Sequence, residues 1–176
     1  MITLVRPAKE HEKAALEFKQ EFFDNGESTI NGSELLDQTS SYSDWLEAVT
    51  KNTSKESVNP QWVVTDTYFA VDDNNRIVGI VDLRHELKGF LVDFGNSGYS
   101  VRPSERKKGY ATQMLTLILE RARELNMDTV QLSAEKTNTP SIKTIVKNGG
   151  KYSRTFKAGE EEADVYLISL HQRNPE

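Results

Sequence analysis

Hydrophobic residues recur at helical spacing in four parts of the chain. The segment 9–23 has apolar residues three or four positions apart, which gives it one apolar face. The segment 108–126 repeats this spacing over the longest stretch, and its apolar stripe consists of Ala111, Met114, Leu115, Ile118, Ala122 and Leu125. The same reasoning predicts two shorter helices, at 43–50 and at 140–147.

Runs of β-branched and aromatic residues predict strands between and after these helices. The runs 62–71 and 76–83 are separated by four polar residues, which predicts a hairpin. Further strands are predicted at 2–5, 98–101, 129–134, 152–156 and 165–170. The second of these is expected to begin near Phe94. The order of the elements predicts an α/β (α+β) fold in which a mixed sheet carries helices on both faces.

No repeat or linker interrupts this pattern, and a chain of 176 residues fits one domain comfortably. We therefore expect a single domain over residues 1–176. The least regular segment is 24–60, which is rich in Asn, Ser, Thr, Gly and Asp. Within it, Ser43 or Asp44 would cap the short helix. An irregular stretch of this length inside a compact domain is usually functional or partly mobile.

The composition narrows the function mainly by what it excludes. The net charge of −5 argues against a general nucleic-acid binder, whose surface is basic. The absence of cysteine excludes a disulfide scaffold, a thiolate zinc site and a cysteine nucleophile. Three histidines leave little material for a metal site, so no metal is expected. The first residues do not form a signal peptide and no apolar run could span a bilayer, so we expect a cytoplasmic protein without membrane contact.

One turn departs from this acidic background. Between the strand that ends at Val101 and the long helix, the segment 102–108 carries four cations and one anion, a net charge of +3. Cations at a helix start are repelled by the positive end of the helix dipole, and a bound anion would relieve this repulsion. The free N–H groups at the same end attract phosphate. Gly109 lacks a Cβ and lets a ligand approach the backbone closely. The turn therefore predicts a phosphate site, although neither Gly-x-x-x-x-Gly-Lys-Ser/Thr nor Gly-x-Gly-x-x-Gly is present.

The sequence Arg106-Lys107-Lys108-Gly109-Tyr110-Ala111 resembles the pyrophosphate loop of the GNAT superfamily of acyl-CoA-dependent N-acetyltransferases, Arg/Gln-x-x-Gly-x-Gly/Ala. The preceding strand, Pro103 and the following helix fit the same family. The segment 138–143 is similar to the family's second cofactor motif, and 83–87 with 99–111 looks most like a bacterial subgroup. The resemblance implies the GNAT fold, with about seven mostly antiparallel strands.

The resemblance also implies acetyl-CoA as a cosubstrate that donates its acetyl group to a primary amine. Pantetheine would pair with the backbone near Val101, and the N–H groups of 107–112 would hold the pyrophosphate. Because the chain has no cysteine, direct attack in a ternary complex is preferred over an acyl-enzyme. The implied cofactor-binding residues are Val101, Arg106, Lys107, Lys108, Gly109, Tyr110, Ala111, Thr112, Asn138 and Ser141.

The residues that would transfer protons are less well defined. Many family members carry a tyrosine seven residues after the asparagine, and that position here is Ile145, which cannot donate a proton. His85 is the first candidate base because its ordinary pKa suits proton transfer near neutral pH; the alternative is a surface histidine. Tyr99 either lines the acceptor pocket or packs in the core. Asp82 and Asp93 are further candidates for binding the amine.

The acceptor is not evident from the sequence. In this family the segment between the first two strands roofs the acceptor site, and here acidic residues outnumber lysines in 24–60. Such a roof would suit a cationic amine, for example a polyamine, an aminoglycoside or a lysine side chain. Two alternatives stay open: an acyl-CoA-binding or regulatory module without catalysis, and a protein that binds another phosphate such as ATP. Family members are commonly dimers, and a homodimer is compatible with this sequence.

Overall fold

The computed structural model describes residues 1–171, which form seven strands and five α-helices. The strands are β1 (Thr3–Val5), β2 (Thr65–Val71), β3 (Ile77–Arg84), β4 (Tyr99–Val101), β5 (Thr129–Glu135), β6 (Lys151–Ala158) and β7 (Glu161–Ser169). The helices are α1 (Glu12–Asp24), α2 (Tyr42–Lys51), α3 (Leu91–Phe94), α4 (Tyr110–Glu124) and α5 (Thr139–Lys147). Short 3₁₀ turns precede α1 and α4, at Lys9–His11 and Pro103–Glu105.

The strands form two antiparallel sheets, ordered β1-β2-β3-β4 and β5-β7-β6. The sheets meet just before β4, where Gly95 bridges Leu132 and the N–H of Asn96 donates to the carbonyl of Gln131 at 2.7 Å. Beyond this junction, no backbone hydrogen bond joins β4 to β5 in the described part of the chain. The two strands therefore diverge and leave a cleft between the sheets.

Helices cover both faces of the first sheet, as the sequence predicts. Side chains of β2 and β3 alternate between two cores: Phe69 and Ile80 pack towards α1 and α2, whereas Ala70 and Val81 pack towards α4. Four residues of the predicted stripe of α4 are buried in the second of these cores, namely Met114, Leu115, Ile118 and Ala122, and Leu119 is buried with them. This burial anchors α4 and fixes where its first turn lies beside β4.

Two local predictions differ from the structure. Residues 91–94 form the helical turn α3 rather than the start of a strand, and β4 begins only at Tyr99. The chain bends there because Gly95, at φ +91°, lies so close to β5 that a Cβ would fall 2.4 Å from the Gln131 carbonyl oxygen. The cap of α2 is Ser41, whose Oγ accepts the N–H of Asp44 at 3.2 Å.

Candidate active site

A cavity of about 730 Å³ occupies the cleft between β4 and β5. Its walls come from these two strands, from the turn before α4 and from the first turn of α5. Residues of the segment 27–32 cover one side. The place where the two sheets separate is therefore also the place where the predicted phosphate-binding turn lies.

The turn before α4 presents a row of free backbone N–H groups to this cleft. Lys107 and Gly109 both have positive φ, +65° and +83°, so the chain curls before the helix starts at Tyr110. Within residues 1–171, the N–H groups of 107–112 find no acceptor in the backbone or in any side chain. Successive free N–H groups at a helix start form an anion-binding concavity. A Cβ on Gly109 would meet no atom within 4 Å, so the space above this turn is open.

Arg106 extends along the cleft and is held there by three contacts. Its guanidinium forms a two-fold ion pair with the Glu27 carboxylate at 2.8 and 3.0 Å, and its Nε donates to the Val101 carbonyl at 3.2 Å. It also lies over the Phe22 ring, 5.6 Å from the centroid. The hydrogen bonds from Arg106 lower the pKa of Glu27 below its ordinary value. Arg106 therefore lies beside the free N–H groups in a defined orientation.

The other cations of the turn are paired more fully than the sequence indicates. Lys108 contacts Glu105 at 2.7 Å, and the same carboxylate pairs with Arg76. Arg102 is buried and contacts Glu21 of α1 at 3.1 Å. The local count of +3 is therefore an overestimate of the free charge. Glu21 pairs with Arg102 and Glu27 pairs with Arg106. Both glutamates are distant from the turn in sequence, and only the fold brings them close to it.

Asn138 and Tyr99 come together at the far side of the cleft. The Asn138 side chain caps α5 by accepting the N–H of Ser141 at 3.2 Å. The Tyr99 hydroxyl lies 2.9 Å from the Ser141 Oγ, while its ring packs against the core. Burial raises the pKa of Tyr99, so the phenol stays protonated at neutral pH. Ile145, at the position of the family's tyrosine, is fully buried.

The structure does not bring His85 into the cleft. Its Nε2 lies 2.8 Å from Asp66, a buried carboxylate that also contacts Arg6 at 2.7 Å and Arg121 at 3.3 Å. Side chains alternate along β3, and Arg84 faces the cleft while His85, which follows it, turns to the side of α4. This ion cluster gives His85 a structural role and offers no support for a role as base. Asp93 likewise pairs with Arg154, outside the cleft wall.

A cluster of Glu34, Asp82 and Arg84 lies on the roofed side of the cleft. Arg84 lines the cavity and contacts Asp82 at 3.1 Å, with Glu34 at 4.0 Å. From the sequence, Asp82 was a candidate and Glu34 only one of several acidic roof residues. No local motif marks this cluster, since it is assembled from a loop and a strand about 50 residues apart.

Neither a metal site nor a membrane span is present in the described chain. Within residues 1–171 no three carboxylate or histidine side chains come together as metal ligands. No helix in the same range is long and apolar enough to cross a membrane.

These features define a class of protein: an α+β fold whose anion-binding helix start opens on a cleft between two splayed strands. Solved structures share the fold over nearly the whole chain. The ribosomal alpha-N-protein acetyltransferase RimL, in complex with coenzyme A, is 13% identical with a TM-score of 0.70, covering 96% of this chain and 93% of its own. The yncA structure from Salmonella typhimurium, with its cofactor acetyl-CoA, is 14% identical with a TM-score of 0.65, covering 99% and 98%.

A spermidine N-acetyltransferase SpeG chimera from Vibrio cholerae and hSSAT is 12% identical with a TM-score of 0.66, covering 96% of this chain and 95% of its own. A search of curated protein sequences finds no significant match. The model of the acetyltransferase (GNAT) domain matches residues 3–151. The chain belongs to the GNAT acetyltransferase family, which confirms the resemblance seen in the sequence.

Proposed function

We propose that this protein is an N-acetyltransferase that moves the acetyl group of acetyl-CoA to a primary amine by direct attack in a ternary complex. The observation that carries the proposal is the row of free N–H groups at 107–112, which opens on the cleft at the start of α4. These groups fit a diphosphate, and the family of the chain fits coenzyme A. The yncA and RimL structures, which contain acetyl-CoA and coenzyme A, support the same assignment.

The cosubstrate would lie along β4, with the pyrophosphate at the N–H groups of Lys107 to Thr112 and with Arg106 beside it. The Gly98 carbonyl and the Arg102 N–H form hydrogen bonds with β3. Because such bonds alternate along an antiparallel strand, the N–H groups of Tyr99 and Val101 point away from β3 and towards the cleft. These two N–H groups are therefore available to pair with pantetheine and to stabilise the oxyanion formed at the thioester. Asn138 and Ser141 would contact the coenzyme from α5.

We propose Tyr99 as the group that protonates the departing thiolate. Its hydroxyl, 2.9 Å from Ser141 Oγ, lies across the cleft from the N–H groups of β4 and is polarised by a second hydroxyl. Ile145 cannot perform this step, and this residue favours the second candidate function, an acyl-CoA-binding module without catalysis. Tyr99 would supply the missing proton donor from β4 instead of from α5.

Two measurements test the proposal. In calorimetry, we expect coenzyme A to bind more tightly than ATP, because the cleft extends well beyond the phosphate site. With acetyl-CoA and a panel of primary amines, we expect thiol release that depends on the amine. Tighter binding of ATP would contradict the coenzyme assignment, whereas coenzyme binding without thiol release for any amine would favour the module without catalysis.

A further inference from the structure

Large apolar side chains in and beside α3 are exposed to solvent. Phe90, Val92 and Phe94 are 62%, 50% and 44% exposed, whereas Leu91 between them is buried. Single exposed apolar residues are common on protein surfaces, but a contiguous exposed group usually marks an interaction site. The surface around α3 is therefore a candidate for binding another molecule.

Two of these side chains belong to a row of four aromatic rings that runs from the loop before β2 to β6. The ring centroids are 5.8 Å apart between Trp62 and Phe90, 5.9 Å between Phe90 and Phe94, and 5.5 Å between Phe94 and Phe156. The last two contacts are edge-to-face, an arrangement that aromatic pairs favour. We call these four residues the aromatic row.

Hydrogen bonds from β5 and β6 hold α3 in this position. The Val92 carbonyl accepts from Gln131 Nε2 at 2.6 Å and from the Arg154 guanidinium at 2.9 Å. The Phe94 carbonyl accepts from the Ser133 hydroxyl at 3.1 Å. A surface that is already ordered loses little conformational entropy when a partner binds. The part of the aromatic row on α3 is therefore preorganised for binding.

The aromatic row enters the cleft at the junction of the two sheets. Phe94 lines the cleft, and it directly precedes Gly95, which bridges the sheets. β4 runs from this junction to the turn before α4, so Phe94 and the proposed pyrophosphate site lie at opposite ends of β4. A pantetheine arm that runs along β4 from the pyrophosphate brings the thioester towards Phe94. The acceptor must then react close to this ring.

The carboxylates of the cleft lie away from this end. Those that line it within residues 1–171 are Glu27, Glu105 and Glu135. The first two are paired with cations of the turn before α4, and the third lies at the C-terminal end of β5, beyond the junction. An apolar group beside the reacting amine would gain contact with Phe94. A second ammonium group there would lose hydration without a carboxylate to replace it.

We propose that the aromatic row binds the acceptor, and that the acceptor is a polypeptide with apolar residues next to its reacting amine. This inference rests on the proposed function and adds to it the substrate class and the residues that select it. Phe94 contacts the apolar residue nearest to the amine, inside the cleft. Phe90 and Trp62, which are not part of the cleft lining, contact the residues that follow.

The spacing of the rings favours an extended peptide over a small amine. An extended chain rises by about 3.3 Å per residue, so side chains at alternate positions lie on one face, about 6.6 Å apart. This distance is close to the 5.8 and 5.9 Å between the rings of Trp62, Phe90 and Phe94. A small amine that fills the cleft reaches Phe94 and leaves Phe90 exposed, whereas a peptide covers both.

The test uses two pairs of short peptides, each peptide with a single primary amine, at saturating acetyl-CoA. In one pair the amine is the N-terminus, and in the other it is a lysine side chain behind a blocked N-terminus. The members of a pair carry either leucine or serine at alternate positions next to the amine. In at least one pair, we expect the leucine peptide to have a kcat/KM about 10- to 100-fold above that of the serine peptide, the effect of burying one apolar side chain.

Phe90→Ser tests whether the aromatic row causes this preference. Phe90 is largely exposed and outside the cleft lining, so the melting temperature of the variant should stay close to that of the wild type. We expect the preference for leucine to fall by at least about threefold, because the peptide loses one apolar contact. Phe23→Ser is the matched control, since Phe23 is 37% exposed on α1 and also lies outside the cleft lining. It should keep the preference of the wild type.

The outcomes separate this inference from the proposed function. A smaller fall in Phe90→Ser, an equal fall in Phe23→Ser, or no preference for leucine in either pair would overturn the role of the aromatic row. Acetylation of 2-phenylethylamine or spermidine, but of no peptide, would overturn the polypeptide acceptor and leave the transferase proposal intact. Wild-type protein that binds no coenzyme A, or that releases no thiol with any of these amines, would overturn both.

Discussion

Gly109 determines the shape of the turn before α4 and the access to its N–H groups. It has φ +83°, in the left-handed region where a side chain is strained, and the space next to its Cα is open to the cleft. Both features make the N–H groups accessible to a ligand. The positive φ curls the chain so that the N–H groups are exposed, and the missing Cβ leaves the approach to them open.

We expect Gly109→Val to abolish coenzyme A binding, with a loss of affinity of at least about 100-fold, because the side chain would fill the space above the N–H groups. The strained φ should also lower the free energy of unfolding by about 1–3 kcal/mol. Gly149→Val is a matched control, since Gly149 has φ +92°, no atom near its missing Cβ, and lies outside the cleft. Calorimetry measures the affinity of both variants for coenzyme A. Equal affinities would contradict the proposed site.

Tyr99 is the second residue with a role in the proposed chemistry. We expect Tyr99→Phe to lower kcat by about 10²-fold, because the thiolate loses its proton donor, with little change in the affinity for coenzyme A. The aromatic ring keeps its packing in this variant, so the melting temperature should hardly move. Steady-state kinetics with a thiol reagent measures the effect. An unchanged kcat would assign the protonation of the thiolate to water.

At the scale of elements, α5 depends on its cap. Asn138 is the only side chain in the described chain that accepts a backbone N–H of the first turn of α5. Asn138→Ala should therefore lower the free energy of unfolding by about 1 kcal/mol in urea denaturation. Asn138→Asp should keep the cap yet weaken coenzyme A binding, because it adds a negative charge near the phosphates. Equal coenzyme affinity in wild type and Asn138→Asp would place the coenzyme elsewhere.

Elements whose apolar periodicity is strong were predictable from the sequence, and those set by contacts between sheets were not. The stripe of α4 follows from local spacing, as does the hairpin of β2 and β3. The bend at Gly95 results from its close approach to Gln131 of β5, 36 residues later in the chain, and no local pattern encodes it. The turn before α4, which we propose as the phosphate site, could be recognised in the sequence because its glycine and its flanking elements lie within one short segment.

The roles of side chains could be predicted where they depend on neighbours in the sequence, and not where they depend on residues far away in the chain. Histidine is a common general base, but the fold turns His85 towards Asp66 and away from the cleft. Arg106 lies beside the free N–H groups of the turn, but its ion pair with Glu27 depends on a residue 79 positions away and could not be predicted from the local sequence. The cluster around Glu34 could be found only once β3 and the roof were placed together.

At the scale of the whole molecule, Asp66 links three distant parts of the chain. Burial alone would raise its pKa, but hydrogen bonds from His85 and Arg6 and the charges around it outweigh this effect and lower the pKa to about 2. The folded state therefore binds this proton more weakly than the unfolded state, whose carboxyl has its ordinary pKa. The resulting stabilisation is present above about pH 4 and is lost as the pH falls towards 2.

We expect this contribution to be about 2 kcal/mol at neutral pH. Urea denaturation of wild type and Asp66→Asn between pH 6 and 2 measures it. The two proteins should differ most at neutral pH and converge in acid, because only the wild type loses the ionised carboxylate. A difference that stays constant over this range would show that the Asp66 charge does not contribute to stability.

The central claim is that the free N–H groups at the start of α4 hold the pyrophosphate of coenzyme A. A crystal structure of the complex with coenzyme A tests it most directly. We predict diphosphate oxygens within hydrogen-bond distance of N–H groups in the segment 107–112, and the pantetheine arm running along β4 towards Tyr99. Coenzyme bound elsewhere, with these N–H groups contacting only water or the protein itself, would contradict the account.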